Sequence, residues 1–245
     1  MKTAVVLLLS AAALAAELHP RTEREFEQYA ARAQREMASG PIRFPVRAGE
    51  EPRVGPWGAD ATEEVHDGLI HDWVGALFVP GATASQAVAL LTDFDRHRRI
   101  YAPEVAGSKL ISRENGLYRS SLRLVKKKVI TVTLDTEYET RYTELSPGRW
   151  LGVVRSTRIQ EVENAGEPDE RLKPERTGHG FLWRLNSWWV VEERDGGVLL
   201  QLRSISLTRG IPMAVSWIVK PMVTSLPRES LAATLEKTAL ALRVR

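Results

Sequence analysis

Trp183-Arg184-Leu185-Asn186-Ser187-Trp188-Trp189-Val190-Val191-Glu192-Glu193-Arg194 and Val198-Leu199-Leu200-Gln201-Leu202-Arg203-Ser204-Ile205-Ser206-Leu207-Thr208-Arg209 are two apolar and β-branched runs joined across Asp195-Gly196-Gly197. Asp-Gly between such runs is the signal of a hairpin with a two-residue turn. That turn sets Trp189 opposite Leu202, Val191 opposite Leu200, Ser187 opposite Ser204 and Leu185 opposite Ser206. Side chains alternate along a strand, so these residues share one face, and the same count adds Phe181 and Trp183 to it. The other face collects Leu182, Arg184, Asn186, Trp188, Glu192, Gln201, Arg203 and Leu207. The first face is apolar with scattered hydroxyls and no charge. The second is mixed, and Trp188 beside Arg203 reads as a surface cation–π pair.

The same logic extends outward. Leu69–Val79 reads as a strand closed by Pro80-Gly81, and Thr83 or Ser85 opens a helix carrying Val88, Leu91 and Phe94. Strand-like runs follow at Gly107–Glu114, Leu117–Val125, Val129–Tyr142 and Trp150–Glu161, with Asn115-Gly116 and Pro147-Gly148 as turns. Ile130, Val132, Leu134, Thr136 and Tyr138 fall on one face of the third run. The preceding Lys126-Lys127-Lys128 sits at a solvated hairpin tip. Glu161–Gly178 reads as a mobile, charged flap with His179 and Arg184 at its exit. Met213–Arg243 is helical by period, with Leu231, Leu235, Thr238 and Leu242 on its inner face. Pro221 and Pro227 should split that helix into two pieces at an angle. This order is α+β: one antiparallel sheet of about seven strands with a helix on one face.

Upstream, Phe26, Tyr29, Ala30, Ala33 and Met37 form one stripe of a helix, with Thr22 and Glu25 as a capping box and Gly40-Pro41 as the stop. From Gly40 to His66 the density of Pro and Gly reads as a connection. Met1-Lys2 followed by the small apolar run Thr3–Ala16 reads as a secretory signal peptide. That run is shorter than the roughly 20 residues a spanning helix needs. The expected organisation is therefore 1–16 signal, 17–66 helix and linker, and 67–245 the main domain, exported and soluble after cleavage.

Composition removes several chemistries. The 245 residues include no cysteine, which excludes disulfides, a thiol nucleophile and thiolate metal sites. A net charge of +3 without a clustered basic face argues against a nucleic-acid partner. The spacing of His19, His66, His71, His97 and His179 matches no compact zinc motif. No nucleophile elbow, phosphate-cradling glycine loop or dinucleotide fingerprint is present, so neither a metal nor another cofactor is expected. What remains is a face of Trp and Leu with the hydroxyls of Ser187, Ser204, Ser206 and Thr208 clustered on adjacent strands. Such a face suits an apolar pocket with a few orienting polar groups; the alternative is a solid core whose hydroxyls find backbone partners.

The stretches Gly180–Trp189, Asp195–Val198 and Ser204–Pro212, with Pro227-Arg228-Glu229-Ser230-Leu231, resemble a secreted bacterial branch of the START-like (SRPBCC) superfamily. The resemblance implies a helix-grip fold, in which a curved sheet wraps a long C-terminal helix and leaves a cavity for an apolar ligand. It covers Leu69–Leu242 and leaves residues 17–66 as an addition. On this reading the pocket wall is Tyr138, Trp183, Ser187, Trp189, Leu202, Ser204 and Trp217. The partner is a lipid or other apolar small molecule, with transient membrane contact as a further option. A cyclase- or hydrolase-like enzyme using His71, His97 or His179 in the same cavity is the alternative. A third reading makes 17–66 a partner-binding arm.

Overall fold

The computed structural model describes residues 16–127, 130–210 and 216–243, with the side chains of 216–224 left aside. The signal-peptide reading of 1–16 therefore falls almost wholly outside the described residues, as do the tip residue Lys128 and the side chain of Trp217. The elements in chain order are β1 (Ala16–Glu17), α1 (Pro20–Ser39), β2 (Arg53–Pro56), β3 (Thr62–Val65), β4 (Gly68–Pro80) and α2 (Ala84–Leu91). A 3₁₀ turn (Phe94–Arg96) and α3 (His97–Ile100) lead into β5 (Val105–Glu114), β6 (Leu117–Lys127), β7 (Thr131–Ser146) and β8 (Arg149–Glu163). Then come β9 (Arg171–Leu172), β10 (Thr177–Gly178), β11 (Arg184–Arg194), β12 (Gly197–Arg209) and α4 (Ser216–Arg243).

The main sheet is antiparallel and runs β2-β4-β12-β11-β8-β7-β6-β5, with β3 also on β4 and β9 on β8. It has 10 strands where the sequence suggests about seven. The additional ones are the short β2, β3 and β9, which lie in stretches read as linker and flap. Breakers limit those strands to a few residues each but do not prevent them from pairing along an available edge. The β11–β12 register is the expected one: Trp189 faces Leu202 and Ser187 faces Ser204. At the turn, Asp195 and Gly196 take φ of 51° and 70°, the left-handed pair that matches the twist of a two-residue hairpin.

Two helices cover the two faces. On the inner face, Leu231, Leu235, Ala239 and Leu242 of α4 pack with Leu77, Val79, Trp189, Val191, Leu200 and Leu202. On the outer face, Phe26, Ala30, Ala33 and Met37 of α1 pack with Ile70, Trp188, Val190 and Ile205. The predicted stripe of α1 is thus its buried side, and the helix lies on the domain. Thr22 and Glu25 do not form a capping box. His19 caps α1, its Nδ1 accepting from the Arg21 N–H at 3.1 Å. Thr22 instead donates to the His66 carbonyl, while Glu25 accepts from the His66 N–H at 2.8 Å, so the pair clasps the chain entering β4. Helix α4 is a single element through Pro221 and Pro227, not two pieces. Each proline deletes one backbone donor, which a 28-residue helix sustains.

The charged outer face is interior. Trp188 and Arg203, expected at the surface, are 0% and 2% exposed. Arg203 donates from Nε and Nη2 to Asp72 at 2.9 and 2.6 Å and from Nη1 to Glu36 at 2.6 Å. Its guanidinium stacks 4.0 Å above the Trp57 ring centroid, and Tyr29 donates to Asp72 at 2.8 Å. Burial works against the Arg203 charge, but the hydrogen bonds and charges of Asp72 and Glu36 outweigh it and raise its pKa. A buried cation, its carboxylate partner and two residues of α1 form one network.

Candidate functional site

Cross-strand register arranges the inner face in rows. One row is Leu77, Leu200, Val191 and Trp150, and the next is Gly75, Leu202, Trp189, Gly152 and Tyr142. Beyond them come Trp73, Ser204, Ser187, Val154, Thr140 and Tyr118, then His71, Ser206, Leu185, Ser156, Tyr138 and Ser120. The face is therefore aliphatic and aromatic under the C-terminal part of α4 and lined by hydroxyls further along. From β4 to β6 neither of the last two rows holds a Lys, Arg, Asp or Glu; on β5 the third row ends at Arg113, which stacks 4.9 Å from the Tyr118 ring centroid.

The two glycines of the second row set how closely neighbours approach. A Cβ on Gly75 would stand 2.7 Å from Leu235 Cδ1, so the glycine admits the helix. A Cβ on Gly152 would enter the Tyr142 ring, so this glycine lets Tyr142 lie across the sheet. Burial pushes the Tyr138 phenol up to about 12 and that of Tyr142 well above its ordinary value. Tyr101, beside α4, bonds Thr238 at 3.0 Å and is also pushed up to about 12 by burial. These phenols stay neutral across the physiological range.

Several polar atoms on this face are buried without a protein partner: His71 Nδ1, Trp73 Nε1 and Thr140 Oγ1. His71 is fully buried, and its Nε2 lies 3.1 Å from Thr208 Oγ1. Burial pushes its pKa down to about 4, so the ring is neutral at pH 7. Ser187 and Ser204 are half-buried, their hydroxyls 3.5 Å apart.

Of the residues expected in the wall, Tyr138, Ser187, Trp189, Leu202 and Ser204 stand in three adjacent rows of this face. Trp183 does not. It belongs to the outer cluster with Leu18, Phe26 and Trp188, because β11 begins only at Arg184 and the strand alternation does not reach back through Gly180. Phe181, counted onto the same face, is 39% exposed and stacks on His179. Trp217 lies on α4 with its side chain outside the described residues. The residues missed from sequence are Trp73, Thr140 and Tyr142, and His71 entered only as an acid/base candidate of the enzyme alternative, since their places depend on the pairing of β4 and β7 with distant strands.

The flap is held rather than loose. Glu161 accepts from the backbone N–H of His179 at 2.9 Å and of Gly180 at 3.1 Å, and its Oε2 is 2.8 Å from His179 Nδ1. Further ion pairs tie Glu170 to Arg123, Arg171 to Glu163, and Arg176 and Arg184 to Glu23 of α1. His97 is buried beside Phe94 and Tyr101, and His66 lies 3.4 Å from Asp67. Among the described residues no group of histidines and carboxylates is placed to hold a metal ion. A surface hollow of about 490 Å³, lined by Glu36, Ile42, Arg43 and Trp57, lies beside the end of α1 and not at the inner face.

No family model matches the sequence, and no curated protein matches it. Solved structures do match in fold. A STAR-related lipid transfer protein from Xanthomonas axonopodis is 20% identical, with a TM-score of 0.50, over 75% of this chain and 99% of that one. The Zhui aromatase/cyclase from Streptomyces sp. R1128 is 14% identical, with a TM-score of 0.50, over 72% and 96% of the two chains. Likeness at these identities concerns the fold.

Proposed function

We infer from the START-like, helix-grip fold that this chain is an exported binding protein holding a lipid or other apolar small molecule between the inner face of the sheet and α4. The observation that carries the reading is the change of character along the inner face. Two apolar rows supply area for burial, and the adjoining rows offer hydroxyls, phenols and unpartnered polar atoms to orient one end of a ligand. A ligand buries apolar surface at about 25 cal/mol per Å². A few polar contacts then set its direction. Of the two similar structures, one is named a lipid transfer protein and the other an aromatase/cyclase, which fits a fold used on apolar molecules. Export is read from residues 1–16, and uptake from a membrane would require only transient contact.

The test is mass spectrometry of an organic extract from the full chain, produced with its leader and purified without detergent. A species recovered at near one per chain is expected. No recovered species, together with no displacement of a bound apolar dye by any lipid, would overturn the reading. N-terminal sequencing of the same sample checks export, with an intact Met1 as the contrary result.

A further inference from the structure

His71 and Trp73 are two residues apart on β4 and face inward together, flanked by Ser206 and Ser204 of β12. Thr208 Oγ1 lies 3.4 Å from the carbonyl oxygens of both Leu69 and Arg209, which can only accept. When its hydrogen goes to one of them, the hydroxyl accepts from His71 Nε2–H at 3.1 Å. In that tautomer His71 Nδ1 keeps a lone pair and is an acceptor. Trp73 Nε1–H is a donor only. Both atoms are buried with no protein partner. A buried polar atom without a partner costs on the order of 1–3 kcal/mol, so the pair calls for a group that donates to one atom and accepts from the other.

Resting on the binding reading above, we propose that His71 and Trp73 form the head-group subsite for a neutral hydroxyl, so that the ligand is an apolar alcohol rather than a fatty acid or other anion. A hydroxyl gives its hydrogen to His71 Nδ1 and accepts from Trp73 Nε1–H, which satisfies both atoms at once. A carboxylate would meet the lone pair of His71, and a neutral imidazole supplies no countercharge. Among the described residues the two rows around the subsite carry no cation on β4, β12, β11, β8 or β7, and the first one met along them is Arg113, on β5 beside Tyr118. An anion brought there would lose its hydration without an ion partner, the costly case. Ser204 and Ser206, beside the pair, can complete the hydrogen bonds of the ligand oxygen.

The experiment is displacement of N-phenyl-1-naphthylamine from the full chain by 1-decanol, decane and decanoate. Decanol is expected to bind about tenfold more tightly than decane, the value of one well-made buried hydrogen bond, and decanoate more weakly than decanol. Trp73→Phe and His71→Phe should each bring decanol close to decane while leaving decane binding in place, which also shows that the variants fold. Equal affinity for the three compounds, or decanoate ahead of decanol, overturns the head-group assignment alone. Failure of all three to displace the dye, or of the dye to bind, overturns instead the binding function on which it rests.

Discussion

Replacing Arg203 by methionine preserves much of the side-chain volume but removes three charge-assisted hydrogen bonds, two to Asp72 and one to Glu36. Asp72 is 2% exposed and would keep only the Tyr29 hydroxyl among these partners. Breaking a buried pair by deleting one partner costs about 3–5 kcal/mol, because the remaining charge stays out of water without compensation. Glu36 is nearly half exposed and adds little to that figure. With a urea dependence of about 2 kcal/mol per molar, the midpoint of unfolding should fall by about 1.5–2.5 M. The double variant Arg203→Met with Asp72→Asn removes the stranded charge and should recover a large part of the loss. Urea titrations followed by tryptophan fluorescence measure both. A loss below about 1 kcal/mol in the single variant, or no recovery in the double, would refute the claim that this ion pair anchors α1 on the sheet.

Other expectations follow from the same geometry. Gly152→Ala should destabilise by about 1–3 kcal/mol through displacement of the Tyr142 ring, and Gly152→Ala with Tyr142→Val should restore part of it in a thermal melt. His71 and His97 are both pushed down to about 4 by burial, against 6.5 for an ordinary histidine. The unfolded chain therefore gains protons first as pH falls. Stability should decline from near pH 6.5 toward pH 4 by about 1.4 kcal/mol per pH unit for each. His71→Gln should flatten that slope in pH-resolved denaturation; an unchanged slope would remove His71 from the account. Glu161→Ala strips the acceptor from the His179 and Gly180 amides and should speed proteolytic nicking between Asn164 and Arg176 severalfold while the core strands persist.

Much of this was readable from local chemistry. Asp195-Gly196 fixes its own hairpin, so Ser187 opposite Ser204 and Trp189 opposite Leu202 follow from alternation alone. The stripe of α1 announces itself by spacing, but nothing in the spacing says what it covers. Arg203 and Trp188 read as surface residues because their strand alternates apolar and charged. Their burial depends on a helix more than a hundred positions earlier and on Asp72 in a third strand. Trp73 was invisible as a site residue for the same reason, and His71 was visible only as an acid/base candidate, since the inward rows they join exist only once β4 pairs with β12. Trp183 was misplaced by extending a strand rule beyond the first residue that obeys it. The start of the closing helix, and Trp217 with it, lies outside the described side chains.

The outer network has a mechanical consequence for the inner face. A sheet gripped by one helix can change the space beneath it by flattening its own curvature. Here α1 spans the back of the central strands, bonded through Tyr29 and Glu36 to Asp72 and Arg203 and through Thr22 and Glu25 to the His66 backbone. Bending β4 or β12 outward would pull on buried ionic bonds, so the strands behave as a braced wall. Room for a guest must then come from the opposite side, where α4 closes the inner face.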